Sequence, residues 1–415
     1  MHSAVYHWRH KCVTKAFNYW RIVHEENKLL REGGAGSLSA GDGRGAKTMT
    51  TQVGLRNLGN TCYLNAALQA LIAVQSFREL FLFILSKEDL KSVEAQIEER
   101  AASSSSRSSR HPIMMEKDCD SSNDSGDISL TREMYLLMHV VLSRKLVRYT
   151  PDGILRIVWK LFEEFANPRQ HDAAEILIHL LDQLEKEKQS TVKALFKGKM
   201  TQRIEYTKGN KGSVSATELP FFSPWTIEVP KKYHTGKAEP CSNTGKVIFN
   251  THKSEFHLLG GRQKKNPVIC TLEECLRNAT APEHLSGDNQ YKLEDGTFVD
   301  ATKRFLLYEH PQVLILHINR TSWMENGLKK IQVHVEFPLE DLSMKSYSLK
   351  EDEAIYQLRS VVAHHGQHMS RGHFTCFGRG AKGGEWMHFN DAQVTPVTEE
   401  EVCAAQPYIL IYERL

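Results

Sequence analysis

The chain has 415 residues, 53 basic and 50 acidic side chains for a formal net charge of +3, and 40% hydrophobic content. Such a chain can bury a large core, as one multi-layer domain or as two to three ordinary ones, which excludes a disordered or fibrous protein. The balanced charge argues against nucleic acid and a membrane surface as the main partner, and no apolar run is long enough to cross a bilayer.

The eight cysteines are scattered and no signal peptide precedes them, so they read as reduced thiols of the cytosol or nucleus and not as a disulfide framework. Residues 1–31 read as an amphipathic helix in which Cys12, Ala16, Tyr19 and Val23 form a stripe beside Phe17 and Trp20. An apolar-x-x-Trp-Arg pattern occurs at Val5–Arg9 and again at Phe17–Arg21. Two roles stay open for this helix, packing on the main domain or binding a regulatory protein. Residues 32–50 are rich in Gly, Ser and Ala and read as a flexible linker, which places the main domain at 51–415.

The first element that carries chemistry is GLRNLGNTCYLNAALQALIAV, residues 54–74. Leu64, Leu68, Leu71 and Ile72 recur at helical spacing, and Gly59, Asn60 and Thr61 before them are breaker and cap candidates. Cys62 therefore stands at a helix N-terminus, where exposed N–H groups and the helix dipole lower a thiol's pKa and favour the thiolate. The alternative is a buried structural cysteine. Residues 87–100 are charged and helix-prone, and 101–129, with ten serines, read as a disordered insertion. Helical patterns resume at 130–147, 151–165 and 170–189, the last with Ile176, Leu177, Leu180, Leu181 and Leu184 on one face. Beyond about residue 196 the texture changes to short β-type runs, at 223–230, 312–320, 329–339, 356–365, 373–380 and 407–415. Helices followed by strands give an α+β fold with an antiparallel sheet.

A cysteine nucleophile needs a base within hydrogen-bond reach, and the base needs a third group to orient it. RGHFTCFGRG and EWMHFNDAQV, residues 371–380 and 385–394, are spaced as a hairpin whose strands bring His373 and Asn390 together. With twenty histidines in the chain, any one of them says little alone. His373 gains its weight from Cys62.

GLRNLGNTCYLNAALQAL resembles the cysteine box of the ubiquitin-specific proteases, and GHFTCF with WMHFNDAQV resembles their histidine box. QHDAAEILIHLLDQLEKE is similar to their glutamine–aspartate box, and APEHLSGDNQYKL, VDATKRFLLYEHPQVLILHINR, VHVEFPLEDL and YILIYER follow the same pattern in the same order, from about residue 54 to 414. The resemblance implies a papain-like cysteine isopeptidase with a helical thumb and with fingers and palm built on a sheet. Its site would lie between thumb and palm and cut the bond after the C-terminal glycine of ubiquitin on protein conjugates, with no cofactor. By motif match Cys62 is the nucleophile, His373 the general base and acid, and Asn390 the orienting residue, with Asp391 beside it able to substitute or polarise. Asn57 takes the place of the amide that donates to the oxyanion; its alternative role is a turn or cap residue, which Asn60 and Asn65 fit better. Gln170 heads the box, Asp172 and Glu175 become clamps for arginines of the ubiquitin tail, and His364 matches a histidine beside the tail channel. His365 and His368 read equally well as loop residues.

The chain departs from the family in its fingers. Many members hold them with zinc on two Cys-x-x-Cys pairs. Here the two places read RIEYTKGNKGSVSATELPF and YKLEDGT, with Leu293 and Gly296 where cysteines would stand. Cys270 and Cys275 read as buried thiols of a helix-forming stretch, so no structural metal is expected. Residues 231–266, with eight Lys/Arg and two Glu, read as a basic insertion. The expected partners are ubiquitin, ubiquitinated proteins and a regulatory protein bound through the N-terminal helix or an insertion. Two alternatives stay open, a protease for another ubiquitin-like modifier and a non-catalytic ubiquitin-binding scaffold.

Overall fold

Helical periodicity in the first half of the chain produces α1 (Cys62–Ile72), α2 (Gln75–Ile84), α3 (Leu130–Ser143), α4 (Asp152–Leu161), α5 (Ala173–Glu187) and α6 (Gln189–Phe196). The computed structural model describes residues 52–84, 129–143, 147–167, 169–187, 189–208, 211–234, 269–324, 327–350, 353–369, 371–380 and 384–415, all within the compact unit Thr51–Leu415. The expected N-terminal helix 1–31, the linker 32–50, the segment 87–100 and nearly all of the insertions 101–129 and 231–266 lie outside the described residues.

The apolar face of α5 is buried as its spacing requires: Ile176, Leu177, Leu180, Leu181 and Leu184 are all closed to solvent. α1 goes further than its stripe of leucines suggests. Every residue from Cys62 to Ile72 is buried, because the helix is sandwiched between α5 and the large sheet. Polar side chains on it are therefore ties between layers: Gln69 Nε2 donates to the Val53 carbonyl at 2.9 Å, and the Ala70 carbonyl accepts from Ser360 Oγ at 3.0 Å. At the start of α3, whose first N–H groups have no partner within the helix, the Glu187 carboxylate accepts from the amides of Leu130 and Thr131 and from Ser129 Oγ. Ser129, the last residue of the expected insertion, is thus part of the helix start.

The second half is β-structure in two main sheets. The fingers are β1 (Lys197–Lys208) and β2 (Lys211–Phe222). The chain continues through β3 (Trp225–Glu228), α7 (Leu272–Ala279), β4 (Glu283–Leu285), β5 (Ala301–Glu309), β6 (Val313–Asn319), β7 (Thr321–Met324) and β8 (Gly327–Lys330). It ends with β9 (Ile355–His368), β10 (Arg371–Arg379), β11 (Trp386–Asn390), β12 (Gln393–Val397) and β13 (Pro407–Arg414). The finger sheet runs β2-β1-β5-β4 and the palm sheet β12-β11-β10-β9-β13-β6-β3. The palm corrects one expectation: it is antiparallel except that β3 lies parallel to β6. These two strands are joined by the long excursion through α7 and the fingers, and a crossover of that length allows the chain to return in the same direction.

The fingers lack the cysteine pairs of many family members, and other contacts hold them. The tip of β1 meets the Leu293–Thr297 turn through Lys208 Nζ and Asp295 Oδ2 at 2.6 Å, and Tyr206 packs on Tyr291. Gly296 stands at φ +85° in that turn, a conformation a cysteine would take only with strain. Cys270 and Cys275 are buried with their sulfurs 3.6 Å apart, Cys270 on the strand Ile269–Thr271 and Cys275 on α7. Among the described residues no group of three His, Cys, Asp or Glu could hold a metal ion, and no helix is long and apolar enough to cross a membrane.

Candidate active site

The site forms where the turn before α1 meets the turn between β11 and β12. Gly54 runs so close to that second turn that an added Cβ would lie 2.5 Å from the Ala392 carbonyl oxygen, and the Leu55 amide donates to the Asp391 carbonyl at 2.9 Å. Only glycine allows this approach, and it brings Asn57 next to Asp391. Gly59 at φ +108° and Asn60 at φ +55° then reverse the chain into α1.

Asn57 does turn work that the sequence pattern assigned to its neighbours. Its Oδ1 accepts from the amides of Gly59 and Thr61 at 3.0 and 3.1 Å, while its Nδ2 donates to Asp391 Oδ2 at 2.9 Å. Thr61 stands in the N-cap position of α1 but makes no side-chain cap; its Oγ1 accepts from the Leu58 amide instead. Asn65 corrects the turn assignment as well. It is buried, and its Nδ2 donates to Asp391 Oδ1 at 2.8 Å and lies 3.3 Å from the carbonyls of Leu55 and Arg56. Two amides thus grip both oxygens of Asp391, which sits at φ +50° in the turn.

β10 and β11 pair as the hairpin expected, with Cys376 opposite Phe389 and Arg379 opposite Trp386. His373 Nε2 lies 2.7 Å from Asn390 Oδ1 and 4.0 Å from Asp391 Oδ2. Asn390 is therefore the direct partner of the imidazole, and Asp391 contributes charge at one remove.

Cys62 is 3% exposed at the first position of α1. The expectation of a depressed thiol pKa is overturned: burial pushes it up, and the Asp391 carboxylate adds to the rise. The amide of Phe374, the residue after His373, and the amides of Tyr63 and Cys62 itself pull it down by hydrogen bonding to the sulfur, without reversing the shift. Helix-end donors act locally, whereas desolvation counts every group that covers the sulfur.

Gln170 reaches from the turn before α5 to the strand that carries His373. Its Nε2 donates to the Gly372 carbonyl at 2.8 Å and its Oε1 accepts from the Gly372 amide at 2.9 Å. Asp172 caps α5 by accepting from the Ala174 amide at 2.7 Å, and its other oxygen accepts from the Tyr408 hydroxyl. Glu175 is exposed on the first turn of α5. His364 is buried, its ring packed on Phe374, with a pKa lowered to about 4 by burial and by Lys330. His365 and His368 correct the loop reading: with His364 they lie on β9, which has an irregular register between His365 and His368. The sequence reading missed Asn65, Tyr408 and Lys330. The one local signal was for Asn65, whose position three residues after Cys62 faces it back towards the turn.

Comparison with known proteins follows the same architecture. The sequence profile of a family described as ubiquitin carboxyl-terminal hydrolase matches residues 53–412. Human "Ubiquitin carboxyl-terminal hydrolase 3" is 28% identical over 403 residues, covering 94% of this chain and 73% of the relative. "Ubiquitin carboxyl-terminal hydrolase 44-A" of Xenopus laevis is 30% identical over 425 residues, covering 86% of this chain and 56% of the relative. Among solved structures, a SAGA DUB module of Ubp8, Sgf11, Sus1 and Sgf73 bound to monoubiquitin aligns with a TM-score of 0.60 at 20% identity, over 94% of this chain and 75% of the other. The same module bound to ubiquitin aldehyde gives 0.59 at 21% identity, over 89% and 71%.

Proposed function

This chain belongs to the ubiquitin carboxyl-terminal hydrolase family, and we propose that Cys62 is its nucleophile, His373 its general base and acid, and Asn390 the group that orients the imidazole. The protein is a cysteine-type deubiquitinase. The observation that carries the assignment of roles is the 2.7 Å contact between His373 Nε2 and Asn390 Oδ1, on the strand whose next amide touches the Cys62 sulfur.

With Nε2–H donating to Asn390, Nδ1 keeps the lone pair and takes the thiol proton. Because burial holds Cys62 as a thiol at rest, that transfer accompanies attack. The sulfur adds to the terminal glycine carbonyl, and the oxyanion is received by the second amide proton of Asn57 and the N–H at the start of α1. Collapse expels the lysine amine, which takes the proton from His373, and water hydrolyses the thioester by the same steps in reverse. A neutral Asn390 does not stabilise the imidazolium by charge. Asp391, held by Asn57 and Asn65, supplies that charge from 4.0 Å.

Along the tail, Gln170 fixes the channel wall through Gly372, and Asp172 and Glu175 are the clamps for arginines, Asp172 being itself held by the Ala174 amide and the Tyr408 hydroxyl. His364 packs beneath the channel on Phe374. The compartment in this reading is cytosol or nucleus, supported by the free thiols of Cys62, Cys270, Cys275, Cys376 and Cys403. A regulatory protein bound through residues 1–31 or an insertion completes it, by analogy with the multi-subunit modules of similar fold.

The test is reaction of the purified chain with ubiquitin bearing a thiol-reactive C-terminus, beside Cys62→Ala and a matching probe on another modifier. Labelling that requires both ubiquitin and Cys62 supports the assignment. A folded protein that labels on another cysteine, or only with the other modifier, refutes it.

A further inference from the structure

Lys330 ends β8 with its side chain turned inward, 9% exposed. Its Nζ lies 3.0 Å from His364 Nδ1, 2.9 Å from the His364 carbonyl and 2.9 Å from the Gly366 carbonyl. An ammonium has three protons and no acceptor, so all three are used, on a ring nitrogen and two carbonyls with no carboxylate among them. For Nδ1 to accept, His364 must carry its own proton on Nε2. That edge faces Gly372, where an added Cβ would lie 2.4 Å from His364 Nε2 and 2.3 Å from the His365 carbonyl oxygen. Gly372 is the residue Gln170 holds by both backbone groups, and His373 follows it. The turn between β9 and β10 is equally tight at Gly366, at φ +149°, where a Cβ would lie 2.6 Å from the Arg371 carbonyl oxygen.

We propose that Lys330 is a positioning residue for the hydrolase reaction, clamping the His364–Gly366 bend so that Gly372 and His373 are presented to Cys62. The clamp holds β9 and the Gln170 bonds hold β10, so each strand of the turn before His373 is fixed by hydrogen bonds, one set from the Lys330 ammonium and the other from the Gln170 amide. The proposal rests on the roles assigned above to Cys62 and His373.

The clamp depends on the charge of Lys330. A neutral amine has two protons, so one of the three acceptors loses its donor. Burial and the neighbouring Arg320 guanidinium lower the Lys330 pKa to about 8. The other ionisable groups around the ammonium are His364 and His365, with Asp172 and His373 beyond His364. His364 is neutral across the working range, so the group that loosens the bend on the alkaline side is Lys330.

The test compares wild type, Lys330→Met and Lys330→Arg by two readouts over pH 6–10. One is kcat and KM on a ubiquitin C-terminal fluorogenic amide. The other is the rate of iodoacetamide alkylation of Cys62, followed by peptide mass, which needs no ubiquitin. Folding is checked by circular dichroism, and ubiquitin affinity in a Cys62→Ala background. Misplacing a catalytic base by about 1 Å costs on the order of 10²-fold, so Lys330→Met is expected to lose ~10- to 100-fold in kcat at pH 7. Its ubiquitin affinity should stay within about threefold by the same positioning logic. Lys330→Arg keeps a permanent charge and should retain activity while losing the fall above pH 8. A folded Lys330→Met with unchanged kcat and alkylation profile overturns the proposal, as does a Lys330→Arg profile that still falls above pH 8. If Lys330→Met does not fold, the arginine profile decides alone. If wild type fails with ubiquitin, the deubiquitinase roles fall, and the alkylation profiles still decide the role of Lys330.

Discussion

Replacing Gly372 by alanine tests whether the base is held as tightly as the geometry says. The new methyl would start 2.3 Å from the His365 carbonyl oxygen and 2.4 Å from His364 Nε2, against a floor of about 3.0 Å for such contacts. One side has to move by roughly 0.7 Å, on the scale of a misplacement that costs about 10²-fold in rate. The carbonyl belongs to the β9–β10 pairing and the imidazole is pinned by Lys330, so the displacement falls on Gly372 and its neighbour His373, against the pull of Gln170. The expected result is a loss of about 10²-fold in kcat on a ubiquitin C-terminal amide, with overpacking destabilisation of about 1–3 kcal/mol in a denaturant melt. Gly212→Ala, on β2 where nothing lies within 4 Å of the new methyl, is the matched control and should leave kcat unchanged and stability unchanged or slightly raised. A Gly372→Ala protein with kcat within threefold of wild type would show that the strand yields without moving His373 and would refute the reasoning.

Three further predictions follow from single contacts. Asp391→Asn removes a negative charge that raises the Cys62 pKa, so the midpoint of Cys62 alkylation should move to lower pH while turnover falls, because the charge facing the imidazolium is lost; a midpoint that stays or rises contradicts this. Asn57→Ala should lower kcat by about 10²–10³-fold with a small change in KM, read by steady-state kinetics, and an effect confined to KM would remove Asn57 from the oxyanion site. Glu187→Gln should cost about 1 kcal/mol, the usual worth of a helix cap, measured by denaturant unfolding at pH 7. Burial pushes the Glu187 carboxyl up, but hydrogen bonds from the start of α3 and from Gln183 outweigh it and hold the carboxyl below its usual range. A depressed folded-state pKa stabilises above the unfolded value and is lost as pH falls, so the gap between variant and wild type should close below about pH 4.5; a gap that widens on acidification would contradict the sign.

What the sequence determined by itself lies in local periodicity and local turns. The leucines of α1 and α5 repeat with the turn of a helix and must share a face, so both helices, and Cys62 at the mouth of one, follow from spacing. The short connection between His373 and Asn390 admits little but a hairpin, and the 2.7 Å contact is its consequence. The long finger hairpin β1–β2 escaped the reading because the buried residues of β1, Gly198, Thr201 and Ile204, recur at every third position, so the strand lacks the alternation that marks a half-buried one.

Tertiary structure alone decided the rest, and for one physical reason: burial and hydrogen bonding sum over groups far apart in the chain. Asn65 and Asp391, 326 residues apart, are partners only because Gly54 lets one turn lie against another. The parallel entry of β3 into the palm depends on where a long excursion returns. The Cys62 thiol is the sharpest case. Its position at a helix end lowers its pKa by a few local donors, the packing of α1 beneath the palm raises it by removing water from every side, and the sum of many contacts outweighs the few.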